Sequence, residues 1–284
     1  MQVLFLLIVM VAQLLQWMCK KQYNLKITQQ EPLVFNGVSA LTAAVIFGAM
    51  ADWPLQLPLS LLPYVLLFSV AFGSAAFFSL LAVQAGSMSL TSLAISYSLV
   101  IPTLYGLLFL GEPVSVTLIV GVLLLLGSLF LVNAKKEEAT VNRRWLAFAL
   151  LAFLGNGVCS TTQTVQQLHF DGRYKGEFMF ASMLLLSAFF LTVSFLRRRQ
   201  AALVSLRQGW SAMVTNGLCN GTVNLFVMLL VSGGMAASVM FPVISGGGLI
   251  LTTLLSVLVY RERLSLPQYI GLAMGTASVV LMNL

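Results

Sequence analysis

Residues 99–133 read LVIPTLYGLLFLGEPVSVTLIVGVLLLLGSLFLVN, and residues 249–283 read LILTTLLSVLVYRERLSLPQYIGLAMGTASVVLMN. The two segments align without a gap at a separation of 150 residues, and ten of the 35 positions are identical. Leucine pairs carry little weight in such apolar segments. The informative matches are Thr103 with Thr253, Glu112 with Glu262, Ser115 with Ser265, Gly121 with Gly271, Ser128 with Ser278 and Asn133 with Asn283. The sequence therefore indicates an internal duplication.

The composition is typical of a membrane protein. Of 284 residues, 59% are apolar and 8% are charged, whereas a soluble domain carries about 25% charged residues. A chain this apolar needs lipid around it, so the lipid bilayer is the first partner that we expect. The 15 Lys and Arg against 8 Asp and Glu would suggest nucleic acid in a soluble protein. Here the charges lie between apolar runs, so we assign them to topology and expect no nucleic-acid binding.

Ten apolar runs have the length of a membrane span, which is about 20 residues. They are residues 3–19, 33–51, 59–83, 88–110, 114–132, 145–167, 178–196, 210–231, 236–260 and 264–282. We therefore predict an all-α membrane protein with ten transmembrane helices in two inverted five-helix repeats. The first repeat is residues 1–133, the inter-repeat loop is residues 134–144, and the second repeat is residues 145–284. Because five is an odd number, the second repeat enters the membrane from the opposite side, as in many transporters.

The ends of the two repeats also carry a family resemblance. Each repeat closes with a short turn and a glycine-containing last helix, GEPVS…G in the first and RERLS…G in the second. This pattern resembles the EamA-like ten-helix proteins of the drug/metabolite transporter superfamily. The resemblance implies a central cavity lined by helices 1, 3, 4, 6, 8 and 9, with helices 5 and 10 outside. It also implies transport of small molecules such as amino acids, sugars, nucleotide sugars, quaternary amines or drugs.

Two features depart from that family pattern. The stretch LVFNGVSAL after Pro32 lacks the arginine that relatives often carry in helix 2, and Gln16, Trp17 and Met18 replace a Trp–Gly pair in helix 1. The resemblance therefore implies the fold but no particular substrate.

The loop charges predict an orientation in the membrane. Thirteen of the fifteen Lys and Arg residues fall on the face that holds the loops after helices 1, 5, 7 and 9, and two fall on the other face. Cytoplasmic loops carry the Lys/Arg excess. We therefore predict a multi-pass protein of the inner (plasma) membrane with both termini facing outward. The family resemblance implies cytoplasmic termini instead, and we follow the charges of this chain.

The acidic residues indicate how transport would be driven. All eight lie in loops or at the ends of predicted helices. Glu31 and Glu177 open helices 2 and 7, where the positive end of the helix dipole favours a carboxylate. With no carboxylate at the membrane centre, facilitated diffusion or exchange is favoured over proton coupling.

Neutral polar residues form stripes on the helices that the resemblance assigns to the cavity. The predicted substrate-binding residues are Gln13, Gln16 and Trp17 on helix 1, Ser92 and Ser96 on helix 4, Asn156, Ser160 and Gln163 on helix 6, Asn216, Asn220 and Asn224 on helix 8, and Ser245 on helix 9. Residues four apart share a helix face. An unpaired amide in hydrocarbon costs several kcal/mol, so these stripes must meet partners or water. Interhelical hydrogen bonding is the alternative interpretation.

Proline and glycine mark helices 4 and 9 as candidate hinges. The residues are Pro102, Pro242, Gly246, Gly247 and Gly248. A matched pair of interrupted helices is a pointer to a transporter site. Close helix packing through glycine is the alternative.

No catalytic constellation, phosphate loop or metal-ligand set is visible, so we predict no enzyme, no cofactor and no metal. Cys19, Cys159 and Cys219 are expected to be buried hydrophobes. His169, the only histidine, is assigned no role.

Together these features predict a transporter of a small polar metabolite, neutral or zwitterionic, that works by alternating access as a monomer or homodimer. A multidrug or quaternary-amine transporter with cations bound over Trp17, Tyr97 and Tyr105 is one alternative. A non-transporting membrane subunit or scaffold is another.

Overall fold

The computed structural model of the chain describes residues 2–51, 53–85, 95, 97–98, 100–111, 115–132, 143–260 and 266–282. Its regular elements in these ranges are helices. They are α1 (Gln2–Lys26), α2 (Pro32–Met50), a 3-10 turn (Leu59–Leu61), α3 (Leu62–Ala85), α4 (Val100–Phe109), α5 (Val116–Val132), α6 (Arg143–His169), the segment Lys175–Ser232, α9 (Ala237–Tyr260) and α10 (Leu266–Met282). The predicted all-α class is confirmed for the described residues.

The segment Lys175–Ser232 is two helices joined without a loop. It is 58 residues long and bends at Arg198, whose backbone is not helical (φ −142°, ψ 50°). We call residues 175–197 α7 and residues 199–232 α8. The sequence predicts a connection over residues 197–209. That stretch, RRRQAALVSLRQG, is rich in strong helix formers and has no proline, so it is helical on both sides of the bend at Arg198.

Five helical segments are long and apolar enough to cross a membrane. They are Gln2–Lys20, Pro32–Met50, Leu59–Ser79, Arg143–His169 and Lys175–Ser232. Val100–Phe109, Val116–Ser128 and Ala237–Gly248 are shorter apolar helices. Many large apolar side chains on these helices face outward, among them Val70 (70% exposed) and Leu108 (72% exposed). Such a surface is compatible with lipid as the surrounding solvent.

Several helix contacts in the first half of the chain have a counterpart in the second half. Helix α2 packs on both α7 and α8, α3 packs on α6 and α7, and α1 packs on α8. The pairs α1–α9, α4–α6, α4–α9 and α5–α10 are also in contact. In a five-helix repeat, helices five apart in the chain are equivalent. The α1–α8 contact then corresponds to the α6–α3 contact, and the α1–α9 contact corresponds to the α6–α4 contact. The pairs α2–α7, α4–α9 and α5–α10 each join two equivalent helices.

Helices α5 and α10 also exchange matched hydrogen bonds. The Ser128 hydroxyl donates to the Gly271 carbonyl at 2.6 Å, and the Ser278 hydroxyl donates to the Gly121 carbonyl at 2.8 Å. Each residue of the first bond lies 150 positions from its counterpart in the second. The contact is therefore reciprocal in the register of the sequence repeat.

Candidate functional site

Helices α6 and α8 are joined by a chain of amide groups. Gln163 Nε2 donates to the Asn224 carbonyl at 3.0 Å. Asn224 Nδ2 in turn donates to the Asn220 carbonyl at 3.0 Å and to Asn220 Oδ1 at 3.2 Å. Gln163 and Asn224 are 4% and 6% exposed, whereas Asn220 is partly exposed. The structure therefore brings together three predicted site residues, and Asn220 is the most accessible of them.

Asn216 does not join this chain. Its Nδ2 donates to Ser39 Oγ on α2 at 3.0 Å, and Ser39 Oγ donates to the Met213 carbonyl at 3.0 Å. Asn216 is 4% exposed. Its contacts fasten α8 to α2, which is the interhelical bonding that was the alternative to a cavity role. The predicted triple-asparagine stripe thus divides between two neighbours.

Asn156 marks the crossing of α6 with the α4 region. Its Nδ2 donates to Ser98 Oγ at 2.7 Å. One residue on, Gly157 lies directly against the Ile101 side chain, with no room for a Cβ atom. The glycine lets the two backbones approach closely, which polar side chains can then bridge.

The crossing of α1 with α9 has a related geometry. A Cβ atom added to Gly248 would lie 3.2 Å from Gln13 Oε1, and Gly247 lies directly against the Met10 side chain. Gly248 is 150 residues after Ser98, so the two crossings use equivalent positions on α9 and the α4 region. Gln13 of α1 therefore takes the place that Asn156 has on α6.

The equivalence of Gln13 and Asn156 gives the first helices of the two halves a separation of 143 residues, whereas the last helices are separated by 150. Gln13 and Asn156 are 143 residues apart, and α2 and α7 also begin 143 residues apart. Asn156 and Gly248 are separated by 92 positions, whereas Gln13 and Ser98 are separated by 85. The second half thus has seven more residues, and they fall after the start of α7.

With the separation of 143 residues, Lys20 is part of the polar face of α1. At a separation of 143 residues, Trp17 matches Ser160 and Lys20 matches Gln163. The Lys20 ammonium lies over the Trp17 ring, 5.0 Å from its centroid. Lys20 is partly buried within α1, which continues to Lys26. The sequence predicts Lys20 as a loop charge because the apolar run ends at Cys19.

The remaining predicted site residues lie on three different helices or outside the described residues. Gln16, Ser160 and Ser245 are partly exposed on α1, α6 and α9. Ser92 and Ser96 lie outside the described residues.

The candidate hinges lie within the described helices. Pro102 is the third residue of the described helix α4, and residue 99 before it lies outside the described residues. Pro242 lies inside α9, which continues as one helix through Gly246, Gly247 and Gly248 to Tyr260. Gly247 and Gly248 face Met10 and Gln13, so their contacts fit the close-packing alternative.

The turn between α1 and α2 packs on the beginning of α8. The Tyr23 hydroxyl bonds Ser205 Oγ, accepts from the Glu31 backbone N–H at 3.0 Å and lies 3.3 Å from the Glu31 carbonyl. The Glu31 side chain is 4% exposed, and its Oε2 has no hydrogen-bond partner among the described residues. Burial raises the pKa of the Glu31 carboxyl, and the Arg198 guanidinium partly opposes that rise.

The thiols and the histidine have structural surroundings. Cys19, Cys159 and Cys219 are buried and unbridged, which confirms their prediction as buried residues. The His169 ring packs between Tyr64 and Phe170, with centroid distances of 5.8 and 4.9 Å. Within the described ranges, no three His, Cys, Asp or Glu side chains group closely enough for a metal ion.

Comparison with known proteins bears on the fold alone. One solved structure, described only as the crystal structure of a protein, has a TM-score of 0.78 and 14% sequence identity to this chain. The match covers 99% of this chain and 95% of the other. At this identity the likeness shows a shared helical arrangement and leaves the function open. No protein-family model matches the chain, and no curated protein matches it.

Proposed function

We propose that the chain is a membrane transporter of a small polar metabolite, neutral or zwitterionic, and not an enzyme. Ten spanning helices in two inverted five-helix halves would alternate access to a site between them. The resemblance to the EamA-like drug/metabolite transporters is part of this proposal. So is the placement in the plasma membrane with both termini outward, as the Lys/Arg distribution favours.

The paired crossings of α1 with α9 and of α6 with the α4 region carry the proposal. Gln13 and Asn156 occupy equivalent places at these crossings. Inverted-repeat transporters bind their ligands at the interface between the two repeats, and each of these crossings joins one half to the other. The amide chain from Gln163 to Asn220 supplies further donors and acceptors. Such groups can replace the water of an uncharged polar ligand.

The positions of the described acidic residues favour one mode of transport. Among the described acids, Glu31 lies at the α1–α2 turn, Asp171 follows α6 and Glu177 is in the first turn of α7. None of them lies beside the amide chain. A facilitator or an exchanger therefore suits the described part of the chain better than a proton-coupled pump.

The quaternary-amine alternative is weakened by Lys20. Its ammonium already lies over the Trp17 ring. A ligand cation about 5 Å from it would be repelled by about 3 kcal/mol at an effective dielectric constant of about 20. The scaffold alternative predicts that no small molecule binds, so a binding measurement distinguishes a scaffold from a transporter.

A thermal-shift screen of purified protein against amino acids, sugars, nucleosides and amines tests the proposal. We expect a polar neutral or zwitterionic compound to raise the melting temperature, and Asn220→Ala to abolish that rise. Asn216→Ala is the matched control, because it should lower the melting temperature without ligand and leave the ligand-induced rise intact. A ligand-induced rise confined to aromatic cations would favour the quaternary-amine alternative, and no rise with any compound would favour a scaffold.

A further inference from the structure

Lys20 is a cation on the otherwise neutral polar face of α1. Gln13, Trp17 and Lys20 are spaced so that they share this face. Their equivalents on α6 are Asn156, Ser160 and Gln163. Asn156 and Gln163 both bond across helix contacts in the interior of the bundle. By this equivalence the partly buried Lys20 has on α1 the place that Gln163 has on α6, so a cation in one half matches a glutamine in the other.

The direction of the Lys20 side chain argues against a simple role as a membrane anchor. A lysine near the end of a span usually extends its ammonium toward the nearby water. Here the ammonium folds back over Trp17, which is three residues toward the middle of α1. Helix α1 then continues for six residues beyond Lys20. The charge thus lies along the face of α1 that holds Trp17 and Gln13.

Lys20 has no carboxylate partner among the described residues. Glu31 is the described acid at the same end of the bundle, and its charged neighbour is Arg198. Asp171 follows α6 and Glu177 is in the first turn of α7, at the end where Gly176 packs on Ala51 of the α2–α3 connection. A partly buried ammonium without an anion is costly, and such residues inside membrane proteins commonly serve ligands.

We propose that the ligand of this site carries an anionic group, a carboxylate or a phosphate, and that Lys20 binds it. The inference rests on the proposed transport function, keeps its zwitterionic ligands and replaces its neutral ligands by anionic ones. On binding, the ammonium exchanges the face of the Trp17 ring for the anion, while the amides of Gln13 and Asn220 contact the neutral part. The headgroup of an anionic lipid offers the same chemistry, so the test must separate the two sources.

The experiment measures thermal shift and equilibrium binding with matched acid and neutral probes. The probes are N-acetyl amino acids and their uncharged methyl esters, and glucose 6-phosphate and glucose. The variants are Lys20→Gln, which installs the residue found at the equivalent position on α6, and Lys20→Arg, which keeps the charge. Arg197→Gln is the control, because it removes an exposed cation at the same end of the bundle. Each protein is measured in neutral detergent and in nanodiscs with and without phosphatidylglycerol.

We expect an acid probe to bind the unaltered protein at least tenfold more tightly than its neutral partner. Lys20→Gln should remove this preference, while Lys20→Arg and Arg197→Gln should keep it. Equal binding of acid and neutral probes, or an acid preference that survives in Lys20→Gln, would overturn the role of Lys20 and leave the transport proposal standing. A Lys20-dependent effect seen only with phosphatidylglycerol would assign the site to lipid and overturn the metabolite assignment. If no probe of either kind binds, both proposals fail.

The melting temperature without ligand shows whether Lys20→Gln is folded. If that variant folds poorly, Gln163→Lys takes its place, because it adds a cation at the equivalent position of the other half. It should increase the affinity for the acid probe at least severalfold. An unchanged affinity in Gln163→Lys would also count against the inference.

Discussion

Ser128 donates a hydrogen bond of 2.6 Å to the Gly271 carbonyl, and Ser278 donates one of 2.8 Å to the Gly121 carbonyl. The residues of the second bond lie 150 positions from their counterparts in the first. The two bonds hold α5 and α10 together in the same way from both sides. The matched positions were visible in the sequence as identities between two apolar helices. The structure gives them a shared task, which is to join the two halves along one pair of helices.

Replacing either serine by alanine should therefore have the same effect. We expect Ser128→Ala and Ser278→Ala each to lower stability by about 0.6 kcal/mol, the average for an interhelical hydrogen bond in a membrane protein. Thermal unfolding in detergent would measure this, and the double variant should show the sum. Thr222→Ala is the control, because its hydroxyl bonds the Leu218 carbonyl of its own helix. A large loss for one serine and none for the other would show that the two contacts are not equivalent.

The crossing of α6 with the α4 region should be intolerant of added volume. A Cβ atom at Gly157 would meet the branched Ile101 side chain at its stem as well as at its tip. We expect Gly157→Ala to destabilise the protein by about 1–3 kcal/mol, the range for overpacking. Adding Ile101→Ala should recover part of that loss in the same unfolding assay. A Gly157→Ala variant as stable as the unaltered protein would contradict the close approach.

The buried carboxyl of Glu31 predicts a pH dependence. Its pKa is raised above the ordinary value of 4.5, chiefly by burial. An acid whose folded pKa is raised favours the folded state while protonated, and that stability is lost as the pH rises from the unfolded value through the folded one. Glu31→Gln should therefore raise the melting temperature at neutral pH, and the gain should shrink toward zero below 4.5.

Melting curves from below pH 4.5 to neutral pH would test this, because the pKa of Glu31 lies above its ordinary value of 4.5. Asp171→Asn is the control for the change in net charge, because it removes an exposed carboxylate from the α6–α7 turn. A Glu31→Gln variant that is less stable than the unaltered protein at pH 7 would show that attraction to Arg198 outweighs burial.

The inverted arrangement predicts that equivalent turns lie on opposite sides of the membrane. Single cysteines at Gln29 in the α1–α2 turn and at Arg173 in the α6–α7 turn test it with an impermeant thiol reagent. We expect the cysteine at 173 to react in intact cells and the cysteine at 29 only after the cells are broken. The three native cysteines are buried and give little background. Reaction of both under one condition would contradict the inversion, and the reverse pattern would contradict the orientation alone.

Apolarity and repetition predicted the helical class and the equivalence of α5 and α10, but not where helices end. The sequence predicts Lys20 in a loop because the apolar run stops at the first charge. Helical hydrogen bonds do not stop there, and α1 continues to Lys26. The seven-residue offset was invisible for a related reason. It falls after the start of α7, and the gapless match covered only the last helices of each half.

The candidate site shows the same division between pattern and geometry. Residues four apart turn by 400°, so a stripe drifts about 40° with each step. Over two steps the drift carries Asn216 from the neighbourhood of α6 to that of α2, where it bonds Ser39. The sequence identified the polar residues, but their partners depended on how the neighbouring helices cross.

Transport itself is tested most directly in proteoliposomes that contain the purified protein. The labelled compound is one that raises the melting temperature, and the unlabelled compound is placed inside the vesicles. We predict saturable uptake that is accelerated by the internal compound and is lost in Asn220→Ala but retained in Arg197→Gln. Saturable binding of the same compound with no flux above that of protein-free vesicles would contradict the account and identify the protein as a binding subunit.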